Sequence, residues 1–165
     1  PEGNVTIVPF DSLVAVGGYR SERYGKAHHE AWGDPEDTLT LTRFRPSRSG
    51  RHHLQALFGN GGAVSTGVTC ATKRVRVFRT SDDALVGQGY FVMPHLGGWE
   101  RWSESSHVSV DLEAGVEVRI VVDHDRASAN MSHFEHFASY TAGVGGEAGP
   151  FERVNIAELR ILSRP

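Results

Sequence analysis

Apolar and polar residues alternate along much of this 165-residue chain, whereas the spacing typical of an amphipathic helix is weak throughout. Alternation sends every second side chain to the same face, which is typical of a strand with one buried face. The clearest pair is Val108–Leu112 and Val116–Val122, joined by the turn Glu113-Ala114-Gly115. Further strands or apolar stretches are predicted at 4–8, 13–16, 38–44, 52–58, 72–78, 85–93 and 155–162, with a short one possible at 65–70.

Two long segments, 19–36 and 123–153, lack this alternation and are predicted to be irregular loops. Turn residues separate the predicted strands, as at Pro46–Gly50 and Gly59–Gly62. Many short strands with regular turn signals predict an all-β fold, an antiparallel sandwich or barrel. Long loops in such a compact domain are often functional, and they can converge at one end of it.

Composition fits one soluble domain and narrows the partners. The net charge is −3 and the pI is about 6.3, so the chain has no excess of positive charge that would favour binding to nucleic acid or an anionic membrane. No apolar run approaches the roughly 20 residues of a membrane helix. Cys70 is the only cysteine, which excludes an intrachain disulfide and a cysteine zinc cluster. We expect it to be a small buried residue in a strand.

The segment Gly97-Gly98-Trp99-Glu100-Arg101-Trp102 carries the strongest chemical signal. An exposed indole face suits stacking on the apolar C–H face of a sugar ring, because the negative ring face attracts weakly positive C–H groups. One of two close tryptophans usually packs inward. We expect Trp99 to be the exposed platform and Trp102 the buried partner.

The order of motifs resembles the galactose-binding-like jelly-roll carbohydrate-binding modules of families 6 and 35. Ser49-Gly50-Arg51-His52-His53-Leu54 leads into a strand, and Gly-Gly-Trp-x-x-Trp at 97–102 precedes the aliphatic strand pair. The closing Val-Asn-Ile-x-x-Leu-x-Ile lies at 154–161, so the resemblance covers roughly residues 4–162. It implies an antiparallel jelly-roll β-sandwich.

The resemblance also implies a sugar site on loops at one end of the sandwich. Trp99 corresponds to the family's stacking tryptophan and Asn155 to its asparagine near the last strand. The early-loop aromatic would be Tyr19, Tyr24 or Trp32, and the alignment does not choose among them. Arg101 would suit an acidic sugar, as would Arg20 or Arg23, because a guanidinium forks onto a carboxylate.

A structural calcium ion is common in that family, with ligands from the first strand and the last. Asp11 is the acidic residue available near the first strand here. Ala157 stands two residues after Asn155, where the family often has aspartate. Calcium is therefore a weakly supported expectation for this chain.

The leading hypothesis is a non-catalytic module, residues 1–165, that belongs to a larger secreted bacterial enzyme. It would bind a polysaccharide or oligosaccharide and target a covalently linked catalytic domain, a glycoside hydrolase or polysaccharide lyase, to that glycan. Individual stacks contribute about 1 kcal/mol beyond area burial, so we expect micromolar to millimolar affinity.

Two alternatives stay open at this point. The domain could be an accessory sandwich without a sugar site, which a fully buried Trp99 would favour. It could also be a metal-dependent jelly-roll enzyme using histidines, either His124, His133 and His136 or the pair His28-His29. Neither set has the spacing of a known zinc motif.

Overall fold

The computed structural model describes residues 4–61, 70–125 and 152–164. Twelve strands lie in these ranges: β1 (Asn4–Pro9), β2 (Val14–Val16), β3 (Tyr19–Ser21), β4 (His28–Trp32), β5 (Thr38–Phe44), β6 (Gly50–Gly59), β7 (Cys70–Arg79), β8 (Leu85–Pro94), β9 (Ser103–Glu104), β10 (Val108–Leu112), β11 (Val118–Asp123) and β12 (Val154–Ser163). Short 3-10 turns cover Phe10–Ser12 and Arg23–Gly25. No helix within these ranges is long and apolar enough to cross a bilayer.

The strands form two antiparallel sheets. The seven-stranded sheet has the order β10-β6-β12-β4-β3, with β1 beside β12 and β9 beside β6. The five-stranded sheet has the order β2-β5-β11-β7-β8. Both contain strands distant in sequence, as when β12 inserts between β4 and β6. The prediction of an all-β antiparallel jelly-roll sandwich is confirmed.

Alternate side chains of the facing sheets fill the space between them. On β7, Val75 and Val77 are buried, and on β12 Leu159 and Ile161 are buried opposite. Outward positions on the same strands are polar, such as Arg74 and Arg76. This is the arrangement of a sandwich core, in which burying one such side chain contributes about 1.5–3 kcal/mol.

The predicted loop at 19–36 is wrong, because it contains the antiparallel hairpin of β3 and β4. The residues of β4 do alternate, because His28, Glu30 and Trp32 face inward. Two of these three are polar, so the strand has no apolar-polar alternation. Hydropathy cannot recognise a buried face made of charged and imidazole side chains. The two-residue strand β9 was also missed.

The remaining strand predictions hold within one or two residues at most boundaries. Cys70 does open β7 but is only half-buried, and burial raises the pKa of its thiol. The predicted stretch at 65–70 and the predicted loop at 123–153 lie mainly outside the described residues.

Candidate functional site

Four ring side chains gather at one end of the seven-stranded sheet. The Tyr24 and Trp99 rings are roughly parallel, with centroids 6.4 Å apart and planes 30° apart. Beneath them the His28 ring meets Trp102 edge-on at 5.1 Å and lies 6.0 Å from Tyr24. Tyr24 and Trp99 keep part of their surface open, whereas His28 is fully buried. We call these four residues the aromatic cluster.

Tyr24 is held in an unusual backbone conformation. Its φ is +61°, in the left-handed region that costs an L-residue roughly 1–2 kcal/mol. The indole Nε1 of Trp102 donates to the Tyr24 carbonyl oxygen at 2.9 Å, which fixes the turn. Trp102 is thus a positioning residue, but it is only partly buried, as Trp99 is, so the prediction that it is the buried partner of the pair is wrong. Strained backbone of this kind is concentrated at functional sites.

The segment that carries Trp99 is anchored to the end of β6. The Leu96 amide donates to the Asn60 carbonyl at 2.8 Å, and buried Asn60 donates from Nδ2 to the Met93 carbonyl at 3.0 Å. Gly61 packs directly on the backbone at Trp99, where an added Cβ would lie only 2.8 Å from Trp99 Cα. The close approach requires glycine.

Three polar residues, Arg23, Glu30 and Tyr19, lie beside the aromatic cluster, and we call them the polar border. Arg23 lies over the Tyr24 ring at 4.8 Å, and its Nη1 is 3.2 Å from Glu30 Oε1. Burial works against ionisation of Glu30, but hydrogen bonds from Ser21 and Tyr19 and the charge of Arg23 leave its pKa below the usual value. The hydrogen bond to Glu30 in turn raises the pKa of Tyr19, which is 53% exposed. Tyr19 and Tyr24 therefore belong to the same end of the fold.

Asn155 reaches this end from β12 but is only 1% exposed. Its Oδ1 accepts a hydrogen bond from the Ala31 amide at 3.1 Å, where Ala31 has a φ of +55° and the β4–β12 register shifts. Its Nδ2 is buried and makes no hydrogen bond with any atom of the described residues. The side chain therefore holds the irregular part of β4 in place, with one donor left over.

The ring spacing limits how a sugar can stack here. Carbon atoms in contact are about 3.5–4.0 Å apart, so a sugar ring between two aromatic planes needs a gap of about 7–8 Å. The 6.4 Å separation of Tyr24 and Trp99 is smaller than this gap. The pair thus presents an open face to a ligand, and a sugar would enter between the rings only if they moved apart by about 1 Å.

Trp32 is not available as a stacking residue. Its side chain is 0% exposed in the core, where β4 pairs Trp32 with Val154. The prediction that it might line a sugar site is corrected, because a ligand cannot reach its ring without opening the sandwich. Of the three early-loop aromatics, Tyr24 is the one stacked near Trp99, and Tyr19 lies beside it through Glu30.

Arg101 is exposed near the tryptophan segment. Its Nη1 donates to the Leu96 carbonyl at 3.3 Å, so it braces the loop that bears Trp99. Arg20 is at a different place, over the Phe10 ring and 3.0 Å from Glu22. The arginine nearest the aromatic cluster is Arg23.

The residues around Asp11 do not fit a calcium site. Calcium takes six to eight oxygen ligands, usually with several carboxylates. The Asp11 side chain is 57% exposed and lies 4.0 Å from the cation Arg20, and Ala157 offers no oxygen from its side chain. Among the described residues no group of three acidic, histidine or cysteine side chains could hold a metal ion.

His124 belongs to a second buried polar group at Lys73, which is 0% exposed. Lys73 Nζ donates to the Glu152 carbonyl at 2.6 Å, lies 3.1 Å from His124 Nε2 and faces the Trp32 ring at 5.4 Å. Burial lowers the pKa of Lys73 to about 7, and burial together with the Lys73 charge lowers that of His124 to about 4. The other two histidines of the predicted metal set, at 133 and 136, are outside the described residues.

Sequence reasoning missed His28 and Glu30 as members of the site. Both lie in a segment predicted to be a loop, and of the two only His28 is a candidate there, as a metal ligand. The available signal was their spacing: His28, Glu30 and Trp32 alternate, as one face of a strand does.

Comparison with known proteins gives matches in structure, whereas no family model and no curated protein matches the sequence. A family 35 carbohydrate binding module from Clostridium thermocellum is similar at TM-score 0.60 and 14% identity, covering 98% of this chain and 99% of that chain. The C-terminal family 6 module of a laminarinase from Zobellia galactanivorans is similar at TM-score 0.55 and 13% identity, covering 98% and 100%.

A Paenibacillus cycloisomaltooligosaccharide glucanotransferase, solved in complex with cycloisomaltoheptaose, is similar at TM-score 0.63 and 18% identity. The match covers 93% of this chain but only 18% of that enzyme. The chain therefore has the fold of family 35 and family 6 modules, as the sequence resemblance predicted.

Proposed function

We propose that this domain binds a carbohydrate at the aromatic cluster and performs no chemistry on it. The observation that carries the proposal is the pair of partly open rings, Tyr24 and Trp99, held at the end of the sandwich by a strained turn and a glycine contact. The similarity of the whole fold to carbohydrate-binding modules supports it.

The sugar would stack on the open face of Trp99 or Tyr24, and its hydroxyl groups would form hydrogen bonds with the polar border. Tyr19 and Glu30 offer a phenol and a carboxylate there, which together can donate to and accept from a hydroxyl pair. Asn155 Nδ2 is a donor without a partner among the described residues, but at 1% exposure the side chain is closed to a ligand in this conformation.

A neutral sugar suits this site better than an acidic one. The charge of Arg23, which lies over the Tyr24 ring, is balanced by Glu30 at 3.2 Å. An acidic sugar would have to compete with Glu30 for the guanidinium and would be repelled by its carboxylate.

The proposal also covers the larger protein to which the domain would belong. It would be one module of a secreted bacterial enzyme, a glycoside hydrolase or polysaccharide lyase, holding the catalytic domain near its glycan. A similarly folded segment makes up 18% of the Paenibacillus enzyme, which supports such an arrangement. A weak single site would then act through effective concentration.

Affinity electrophoresis on gels containing dextran, laminarin, xylan or pectin tests the proposal. We expect retardation on at least one neutral glycan and at least a tenfold loss of affinity for Trp99→Ala, equivalent to about 1.4 kcal/mol. Tyr90→Ala is the matched control, because Tyr90 is a 39% exposed aromatic residue on β8 of the other sheet.

Retardation that persists unchanged in Trp99→Ala would place the sugar elsewhere on the molecule. Migration unaffected by any of the glycans would instead favour the accessory-domain alternative. That alternative would have been favoured by a fully buried Trp99, and Trp99 is only partly buried.

A further inference from the structure

A second concavity lies on the outer face of the seven-stranded sheet, away from the aromatic cluster. It has a volume of about 360 Å³. The cross-strand row Val5, Leu162, His53 and Ser109 runs across it from β1 to β10, since these positions pair in register. His53 and Gly59 are six residues apart on β6, so the two sites are separated by about 20 Å.

The lining of this cavity is cationic on one side and apolar on the other. Its basic lining residues are His53, His107 and Arg164, Val5 and Leu162 supply an apolar wall, and the lining includes no carboxylate side chain. Within the described ranges Arg164 has no acidic partner. Arg51, by contrast, is neutralised by Asp111 at 2.9 Å.

His53 sits in an environment that disfavours its own protonation. Its Nδ1 is 2.8 Å from the Ser109 hydroxyl, and its ring meets the exposed His107 ring edge-on at 4.8 Å. Its Nε2 is buried and has no hydrogen-bond partner among the protein atoms described. Burial lowers the pKa of His53, and the positive charges of His107, Arg164, Arg51 and His52 lower it further.

The cavity therefore has basic side chains in its lining and no acidic side chain that would balance their charge. Two imidazoles and a guanidinium converge without a carboxylate, so a bound anion would balance the charge of Arg164 and favour the protonated form of His53. If the Ser109 hydroxyl donates to Nδ1, the His53 ring proton lies on Nε2, which then becomes a donor for a ligand admitted by movement of the exposed His107 ring. The apolar wall would contact the uncharged body of such a ligand.

We propose that this cavity binds one oxyanion, a carboxylate or a sulfate ester, carried on a small ring such as a sugar. Arg164 and His107 contact the oxyanion, and Val5 and Leu162 contact the ring. The volume suits one such residue, since small-molecule sites begin at about 300 Å³. This site is separate from the one under the proposed function and does not depend on it.

Side-chain NMR of the histidines in the full chain tests this inference. The probes are sodium glucuronate, glucose 6-sulfate and glucose, each titrated at constant ionic strength with sodium chloride. We expect a saturable shift of the His53 and His107 ring signals with one or both anions and an increase in the pKa of His53. The two anions distinguish carboxylate from sulfate, and glucose should produce no shift.

Variants separate this site from the first one. Arg164→Gln and His107→Asn should each weaken anion binding at least about fivefold, because each removes a charged or hydrogen-bonding contact. Trp99→Ala, which removes the platform of the first site, should keep the full anion response. Val14→Ala on the other sheet is a further control, since Val14 is 58% exposed on β2.

Three results would overturn the inference: no saturable shift with either anion, an equal shift with glucose, or an equal shift with chloride alone. Loss of the anion response in Trp99→Ala would also overturn it, because the two sites would then be one. Failure of every glycan to bind in the electrophoresis assay leaves this inference intact.

Discussion

The two polar atoms of the Asn155 side chain differ in their hydrogen bonding. Oδ1 accepts a hydrogen bond from the Ala31 amide, and Nδ2 is buried with no partner in the described part of the chain. Truncation to Asn155→Ala should lower the free energy of unfolding by about 1–3 kcal/mol, because the N–H of half-buried Ala31 loses its acceptor. Urea unfolding followed by fluorescence measures this.

Asn4→Ala is the matched control for that substitution. Asn4 is an exposed asparagine on β1, so its truncation should change the free energy of unfolding by no more than about 0.5 kcal/mol. Equal stability of wild type and Asn155→Ala would mean that Ala31 finds another acceptor and that Asn155 has no positioning role.

The three tryptophans show why local sequence does not determine which aromatic residues can line the site. None of Trp32, Trp99 and Trp102 has a large apolar neighbour in sequence, yet Trp32 is buried in the core whereas Trp99 and Trp102 are partly open. What distinguishes them is cross-strand pairing, such as Trp32 with Val154 across 122 positions of sequence. No local pattern contains that information.

Strands with an alternating apolar face were predictable, and those with a polar buried face were not. β5, β10 and most of β12 follow the pattern, because their inward positions are aliphatic. β4 buries His28 and Glu30, whose burial is offset by their mutual contact, by Arg23 and by the hydrogen bonds from Ser21 and Tyr19 to Glu30. The missed hairpin is therefore the element that supplies much of the candidate site, consistent with function being placed where local rules are broken.

The contact between Gly61 and the Trp99 segment gives a prediction for this element. Gly61→Ala would force its Cβ into the backbone at Gly98 and Trp99, so the segment must shift. We expect a loss of glycan affinity on the electrophoresis gels comparable to that of Trp99→Ala, because Trp99 would leave its position beside Tyr24.

Gly59→Ala is the control from the same strand end. A Cβ at Gly59 would lie 3.6 Å from its nearest neighbours, Arg101, Trp102 and Asn155, which is ordinary contact. It should leave affinity close to wild type. Equal affinity of Gly61→Ala and wild type would show that the position of the tryptophan segment does not control binding.

For the whole molecule, the sequence supports a sandwich because many short amphipathic strands have no other way to bury their apolar faces. It does not reveal which strands are neighbours, since β12 pairs with β1, β4 and β6, all more than 90 residues earlier. Nor does it reveal that Lys73, at an inward position between Ala71 and Val75, is fully buried in this apolar layer. That burial affects the stability of the entire domain.

Lys73 and His124 together make the domain more stable as the pH rises. Burial lowers the pKa of Lys73 from 10.5 to about 7 and that of His124 from 6.5 to about 4. Between pH 4 and 6.5 the unfolded chain binds the histidine proton more strongly, and between pH 7 and 10.5 it binds the lysine proton more strongly, so stability increases with pH in both windows. The raised pKa values of Tyr19 and Tyr90 reverse the trend above their usual value of 10.0.

Urea midpoints at pH 5, 7, 8.5 and 9.5 should therefore rise throughout the series, whereas many proteins are most stable between about pH 5 and 8. Lys73→Met should abolish the increase between pH 7 and 9.5, because the titrating amine is gone and the side chain keeps similar volume. Lys26→Met removes an exposed lysine and should preserve the increase. If the Lys73→Met midpoints rise with pH as steeply as those of wild type, the alkaline stabilisation has another source, and Lys73 keeps an ordinary pKa through contacts stronger than its desolvation.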